Sequence, residues 1–355
     1  MIRILHILLY PFSLIYGVIT FFRNKLYDWS LFKSKEFDFP VIVVGNLNVG
    51  GVGKTPHIEY LIRLLNHYKL ATLSRGYKRD TKGFYLANNT STACEVGDEP
   101  LQFKSKFNDI VVAVDEKRVR GIQTIKNKFP DTQIILLDDA YQHRAVKPGI
   151  NILVTDYSRL YINDTTLPSG RLREWSMGSN RADIIIVSKT PDVLSPIDIR
   201  RIKEDLKPKP YQEIFFSYTK YKELQAFTPF AKTIDLNEEK NNTVLLVTGI
   251  AKPDSLYYYL KLRYNSVEHI KYEDHHPFSA KDLDHIKNEF AQLYGKNKII
   301  ITTEKDIMRL SLPEIFNELK ELPIFYIPIE ICFHGNDQEE FDTKILKYVT
   351  ANSRN

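Results

Sequence analysis

VIVVGNLNVGGVGKTP (41–56) runs from a short β-branched segment straight into a glycine-rich turn, and ends at a proline that suits the first turn of a helix. A strand, a turn of this composition and a helix in that order form the phosphate loop of nucleotide-binding α/β proteins. Gly50, Gly51 and Gly53 let backbone N–H groups turn inward around a phosphate, and the helix N-terminus adds positive potential. Lys54 then reaches the β/γ oxygens and Thr55 ligates Mg²⁺. Asn48, Val49, Gly50, Gly51, Val52, Gly53, Lys54 and Thr55 are therefore the expected nucleotide cradle. The strict pattern has glycine where Asn48 stands, so this is the variant VGGVGKT form; a glycine-rich turn without ligand is the plain alternative.

Outward from this loop, the runs DIVVAV (109–114), QIILL (133–137), INILV (150–154) and ADIIIV (182–187) alternate with helix-period stretches. In HIEYLIRLL, Ile58, Leu61, Ile62 and Leu65 fall on one helical face. The fold class that follows is α/β, a P-loop NTPase-like, doubly wound, mostly parallel sheet. A polar stretch from Thr233 to Asn242 precedes a second series, TVLLV (243–247), SVEHI (266–270) and KIIIT (298–302), which reads as a smaller α/β domain. The expected division is 1–30 for an N-terminal membrane-associated helix, 31–220 for the nucleotide domain and 221–355 for the smaller domain. EIFFSYTKY and PIFYIPIEICF are strand-like and suit a two-stranded linker, about 211–227 and 322–333.

The strand QIILL ends in Asp138 and Asp139, the place where such folds hold Mg²⁺, although an acidic pair also starts turns and caps helices. Adjacent residues on a strand point oppositely, so the two are assigned jointly to the metal and its water shell. A net charge of +5 is too small and dispersed for nucleic-acid binding but favours anionic partners. Cys94 and Cys332 have no metal or disulfide spacing. From Ile4 to Phe22 no charged residue occurs, roughly 28 Å of helix, flanked by Arg3, Arg23 and Lys25. Shallow insertion into a membrane interface is the favoured reading, with a buried helix as the alternative; no cleavage pattern of a signal peptide follows the run.

VGNLNVGGVGKTP (44–56), LSRGY (73–77), GDEP (97–100), LLDDAYQHR (136–144), LPSGRLRE (167–174), YEDHHPF (272–278) and TTEKD (302–306), in this order, resemble the signatures of the tetraacyldisaccharide 4'-kinases. Departures are small: Ala140 stands where glycine is expected and Tyr141 where phenylalanine is commoner. The resemblance implies ATP as donor, Mg²⁺ as cofactor, and as acceptor the 4'-hydroxyl of an acylated glucosamine disaccharide 1-phosphate, a lipid A precursor. It implies a monomer at the cytoplasmic face of the inner membrane, peripheral or anchored by its N-terminus, in contact with that lipid surface. It also implies Asp98 as general base paired with His275, with Lys54 and Arg173 completing the catalytic set, Glu174 joining Thr55, Asp138 and Asp139 at the metal, and Arg75, Arg118, Gln142 and Arg171 binding substrate.

From the residues alone, GDEP reads equally as a helix start, DHHP as a turn and the arginine-rich loop as solvated surface. Glu304 and Asp306 of TTEKD fit either support of the nucleotide site or a strand-to-helix turn. The rival from another class is a membrane-associated regulatory P-loop ATPase. A GTP switch would need N-K-x-D, whereas SKTPD sets Lys189 and Asp192 three apart, which points to ATP.

Overall fold

Strands that are apolar on both faces are satisfied only when helices cover both sides of a sheet. The computed structural model describes residues 2–234, 236, 242–295 and 297–353. Its first sheet takes β1 (Val41–Gly45), β2 (Leu70–Ser74), β3 (Tyr85–Leu86), β4 (Val111–Val114), β5 (Ile134–Asp138), β6 (Ile150–Asp156), β7 (Ile184–Ser188) and β8 (Glu213–Tyr221). A second takes β9 (Gln225–Ala226), β10 (Asn242–Thr248), β11 (Ser266–Lys271), β12 (Asn297–Thr303) and β13 (Ile324–Ile327), after which β14 (Ile329–Phe333) returns to the first. The strand orders are β14-β8-β7-β6-β1-β5-β2-β4-β3 and β11-β10-β12-β13-β9. From β8 to β4 every pairing is parallel, with β14 and β3 antiparallel at the edges. This is the doubly wound α/β architecture with a smaller α/β unit that the alternating runs imply.

Ile58, Leu61, Ile62 and Leu65 lie on the helix Lys54–Leu64 and its end, none more than 2% exposed. Each such burial stabilises the domain by about 1.5–3 kcal/mol, so the same residues that fix the helix also fix the direction of the loop before it. β2 (LATLS) was not among the runs picked out from the sequence: alanine, threonine and serine dilute it, although all five residues are buried between β4 and β5.

PIFYIPIEICF does not stay in one sheet. Pro328, with no N–H to donate, separates β13 in the second sheet from β14 in the first, where Ile329 stands opposite Tyr221 of β8. The expected span of the smaller domain, 221–355, needs correcting at its end. The helix Asp337–Asn352 places Phe341, Ile345 and Val349, one every helical turn, in the same core as Ile58 and Phe333. Most of the polar stretch expected at the boundary, namely 235 and 237–241, lies outside the described residues.

The N-terminal helix spans Ile2–Asp28. Its stretch 7–28 is long and apolar enough to cross a membrane, the one such stretch among the described residues. Ile7, Leu8, Phe12, Ile15, Ile19 and Phe22 are each more than half exposed, so this is not a buried core helix. The opposite face is docked by polar groups. Ser13 Oγ accepts from Ser169 N at 2.7 Å, the Tyr16 hydroxyl donates to Arg173 O at 3.0 Å, and Asn24 Nδ2 donates to the Glu174 carboxylate. A Cβ at Gly17 would come within 2.2 Å of the Trp175 indole nitrogen, so the helix approaches at a distance only glycine permits.

Candidate active site

β1 and β5 are neighbours in register, Val44 opposite Asp138, so the loop after one strand meets the acidic pair after the other. Ligands bind at such carboxyl edges of open α/β sheets. Gly50 and Gly53 have φ of 108° and 93°, left-handed values that glycine adopts without a Cβ penalty. Gly53 caps the helix Lys54–Leu64. Val49 to Thr55 line a cleft of about 690 Å³ between the two sheets, and the first residues of the helix Lys54–Leu64 are among its lining. Lys54 Nζ donates to Asn46 Oδ1 at 3.2 Å and lies 3.6 Å from Asp139 Oδ1. Beneath the loop, His57 Nδ1 is 2.6 Å from Gly53 O and Nε2 is 3.0 Å from Ser217 Oγ. Burial pushes the His57 imidazole down to about 4.

The two aspartates differ in what they touch. Asp138 ends β5, and both of its carboxylate oxygens are buried without a hydrogen-bond partner among the described residues. Burial, and then the charge of Glu99, push it up to about 8. An orphaned carboxylate next to the loop that carries the Thr55 hydroxyl is an oxygen donor set of the kind hard divalent cations take, so these residues fit Mg²⁺. Asp139 has φ of 46° and accepts two hydrogen bonds from Arg173, at 2.9 and 3.0 Å. Burial works to raise its carboxyl, but Lys54 and Arg173 outweigh that and hold it at about 2.

The far wall comes from the smaller domain. His275 Nδ1 lies 2.9 Å from Asp98 Oδ2, bridging the loop after β11 to the first turn of the helix Asp98–Lys106. Arg309 Nη1 donates to the same Asp98 oxygen at 3.1 Å. Burial opposes ionisation of Asp98, but the His275 hydrogen bond and the Arg309 charge prevail and hold it below the usual carboxylate range. On the other flank, Lys252 of the smaller domain donates to Asp156 Oδ2 at 2.9 Å, and Lys189 donates to the Gly51 carbonyl. Of six non-glycine residues with left-handed backbone among the described residues, Lys78, Asp139, Lys189 and His275 line this one cleft. Each costs on the order of 1–3 kcal/mol and persists only where its surroundings enforce it, a pattern typical of functional sites.

The sequence profile of the tetraacyldisaccharide-1-P 4'-kinases matches residues 5–350. The chain belongs to that family. Among its relatives, the tetraacyldisaccharide 4'-kinase of Phocaeicola vulgatus is 47% identical over 351 residues, covering 98% of this chain and 96% of the relative. That of Bacteroides thetaiotaomicron is 47% identical over 362 residues, covering 99% and 95%. The crystal structure of LpxK from Aquifex aeolicus in complex with ATP superposes with a TM-score of 0.73 at 26% identity, covering 97% of this chain and 99% of that one.

Several residues expected in the family's site take other positions here. Glu174, expected at the metal, is buried and already committed: Oε1 accepts from Arg181 at 2.7 Å and Gln142 at 3.1 Å, and Oε2 from Asn24. Its contacts tie the N-terminal helix to the active-site loop. Asn48 turns its amide to Asp164 Oδ2 at 3.0 Å, away from the cleft, and braces the loop. Arg118 is 1% exposed, donating to Asp115 O and Asp138 O, and so supports the end of β5 rather than facing a substrate. Gln142 bridges Asn46 O, Glu174 and Arg173. Arg75 and Arg171 are exposed, and Arg171 O accepts from Val49 N at 2.7 Å, pinning its loop to the phosphate loop. Of TTEKD, Asp306 accepts from Thr303 Oγ1 and Gly249 N, and Glu304 pairs with Lys106. Glu99, Asp156, Lys252, Lys305 and Arg309 were not singled out beforehand; only the fold shows that they converge.

Proposed function

We propose that the chain transfers the γ-phosphate of ATP to the 4'-hydroxyl of a tetraacylated glucosamine disaccharide 1-phosphate, a step of lipid A biosynthesis. The observation that carries this reading is the 2.9 Å contact of His275 with Asp98, which joins the two domains at the cleft that the phosphate loop lines. A hydroxyl nucleophile needs a proton acceptor as it attacks, and an ionised carboxylate oriented by an imidazole meets that need. The hydroxyl oxygen bonds to the γ-phosphorus, the bond from that phosphorus to the β–γ bridging oxygen breaks, ADP leaves, and the hydroxyl proton passes to Asp98. Lys54 and Arg173 face the charge that shifts onto the phosphates. Asp138 and Thr55, with Asp139 beside them, would hold Mg²⁺, which when bound would supply charge neutralisation at the phosphates.

The same reading places the chain at the cytoplasmic face of the inner membrane, with its N-terminal helix lying in the interface. Ser13, Tyr16 and Asn24 fasten one face of that helix to the loop that carries Arg173 and Glu174, so a spanning orientation would drag this polar loop into hydrocarbon. The testing experiment follows γ-labelled ATP with Mg²⁺ and detergent-dispersed tetraacyl disaccharide 1-phosphate. Label in the lipid is expected; label released only as free phosphate, with acceptor present, overturns the reading in favour of a regulatory ATPase.

A further inference from the structure

Lys305, second residue of the helix Glu304–Leu310, lines the cleft and has no part in the reaction as set out above. Its Nζ lies 2.9 Å from His275 Nε2. An ammonium group carries three donors and no lone pair, so a contact of this length needs Nε2 to present its lone pair. The ring proton of a neutral imidazole then sits on Nδ1, the nitrogen 2.9 Å from Asp98 Oδ2. The other tautomer would set N–H against ammonium at one end of the ring and a lone pair against a carboxylate at the other. Both ends of His275 therefore select one protonation pattern.

The remaining charges around the ring make the lysine necessary to that pattern. Asp98 and Glu99 face this cluster from the helix Asp98–Lys106, with Glu99 3.8 Å from Lys305. Asp274 stands 4.0 Å from His275 Nε2 and 3.6 Å from Lys305. The Tyr77 ring packs edge-on at 5.3 Å, and Arg309 acts through Asp98. Lys305 is thus the cation that meets the Nε2 end of the ring among these carboxylates; without it nothing at that end requires the lone pair, and the donation from Nδ1 to Asp98 loses its counterpart. The His275 backbone is held in the left-handed region, φ 60°, with its N–H donated to Gly249 O at 3.1 Å, which fixes the point from which the side chain reaches both partners.

We propose that Lys305 is a positioning residue that fixes the tautomer of His275, with its proton on Nδ1 and donated to Asp98, and thereby holds that carboxylate oriented for phosphoryl transfer. Only the kinetic half of this proposal rests on the kinase reading.

Two measurements on the full chain decide it. In ¹⁵N-histidine-labelled protein, with His275→Gln supplying the assignment, the two-bond ¹H–¹⁵N pattern of His275 at pH 7 is expected to show Nδ1 protonated and Nε2 bare. Lys305→Met is expected to convert it to the Nε2–H form or a mixture of the two tautomers. In the transfer assay, Lys305→Met should lower kcat by roughly tenfold. KM for ATP should stay within about twofold, and Lys305→Arg should restore most of kcat. An Nε2–H ring in the wild type, or a tautomer and kcat unmoved by Lys305→Met in a protein with wild-type circular dichroism, overturns the proposal. If the wild type phosphorylates no lipid, the kinase reading falls while the NMR arm still decides the tautomer.

Discussion

The two walls of the cleft are built differently. The phosphate-loop wall is made of backbone and strand ends: Gly50 and Gly53 in left-handed turns, a helix N-terminus, and Asp138 and Asp139 after the neighbouring strand. The opposite wall is made of side chains from two domains: His275 and Arg309 of the smaller domain meet Asp98 of the nucleotide domain, and Lys305 backs His275 from within the smaller domain. The first can bind phosphate whether or not the domains are closed. The contacts to Asp98 in the second exist only when they are. Nucleotide affinity should therefore depend on one wall, and transfer on both.

The largest expected effect breaks the comparison at its centre. Asp98→Asn removes the proposed proton acceptor but keeps the shape, so kcat should fall by about 10²–10⁴-fold while ATP affinity, measured by equilibrium binding, stays near wild type. Lys54→Met should cut kcat by about 10²–10³-fold and weaken ATP binding as well, because its charge meets phosphate in the ground state and in the transition state. Equal loss of ATP affinity in the two variants would show that the walls are not separable and would sink the assignment of Asp98 as base.

This asymmetry also explains what could be read in advance. VIVVGNLNVGGVGKTP and LLDDAYQHR each carry their chemistry within a dozen or so contiguous residues, since the phosphate wall is local: strand, turn, helix. Asp98 and His275 are 177 residues apart, and nothing in GDEP or DHHP states that they touch; family resemblance alone paired them. Arg118 and Glu174 show the opposite failure. Both are charged residues in motif segments, but one is buried behind Asp138 and the other is spent on Arg181, Gln142 and Asn24, facts set by packing rather than by spacing. The helix Asp337–Asn352 departs from the expected span 221–355 for the same reason, since the surface its buried face covers depends on β14 returning to the first sheet.

If closure is what distinguishes the second wall, weakening it away from the chemistry should matter too. Lys106 Nζ lies 2.6 Å from Glu59 Oε2 in one domain and 2.7 Å from Glu304 Oε1 in the other. Both carboxylates are nearly fully buried, and burial raises the Glu304 carboxyl even with Lys106 beside it. Lys106→Met leaves two facing carboxylates without their shared cation, for an expected loss of about 3 kcal/mol in urea unfolding at pH 7. The deficit should shrink as pH falls and Glu304 takes up a proton, and Glu304→Gln in the same chain should recover much of it. A Lys106→Met protein as stable as wild type would mean that this shared cation does not hold the domains together.

The smallest effect sharpens the first wall instead. His57 is fully buried under the phosphate loop, neutral, and lowered to about 4 by burial. Its ordinary value in the unfolded chain is near 6.5. The unfolded state therefore binds the proton first as pH falls, so the stability tied to the neutral ring is complete above pH 6.5 and is lost on the way down to about pH 4. The full span corresponds to about 3 kcal/mol, less whatever the site relaxes. His57→Gln keeps a donor and an acceptor for Gly53 O and Ser217 Oγ but cannot charge. It should flatten the acid slope of stability between pH 6.5 and 4.5 by about 1–2 kcal/mol while leaving the Asp98–His275 wall and its pH profile untouched. An unchanged slope would show that water reaches the underside of the loop, and that the loop's shape rests on its glycines rather than on the imidazole beneath it.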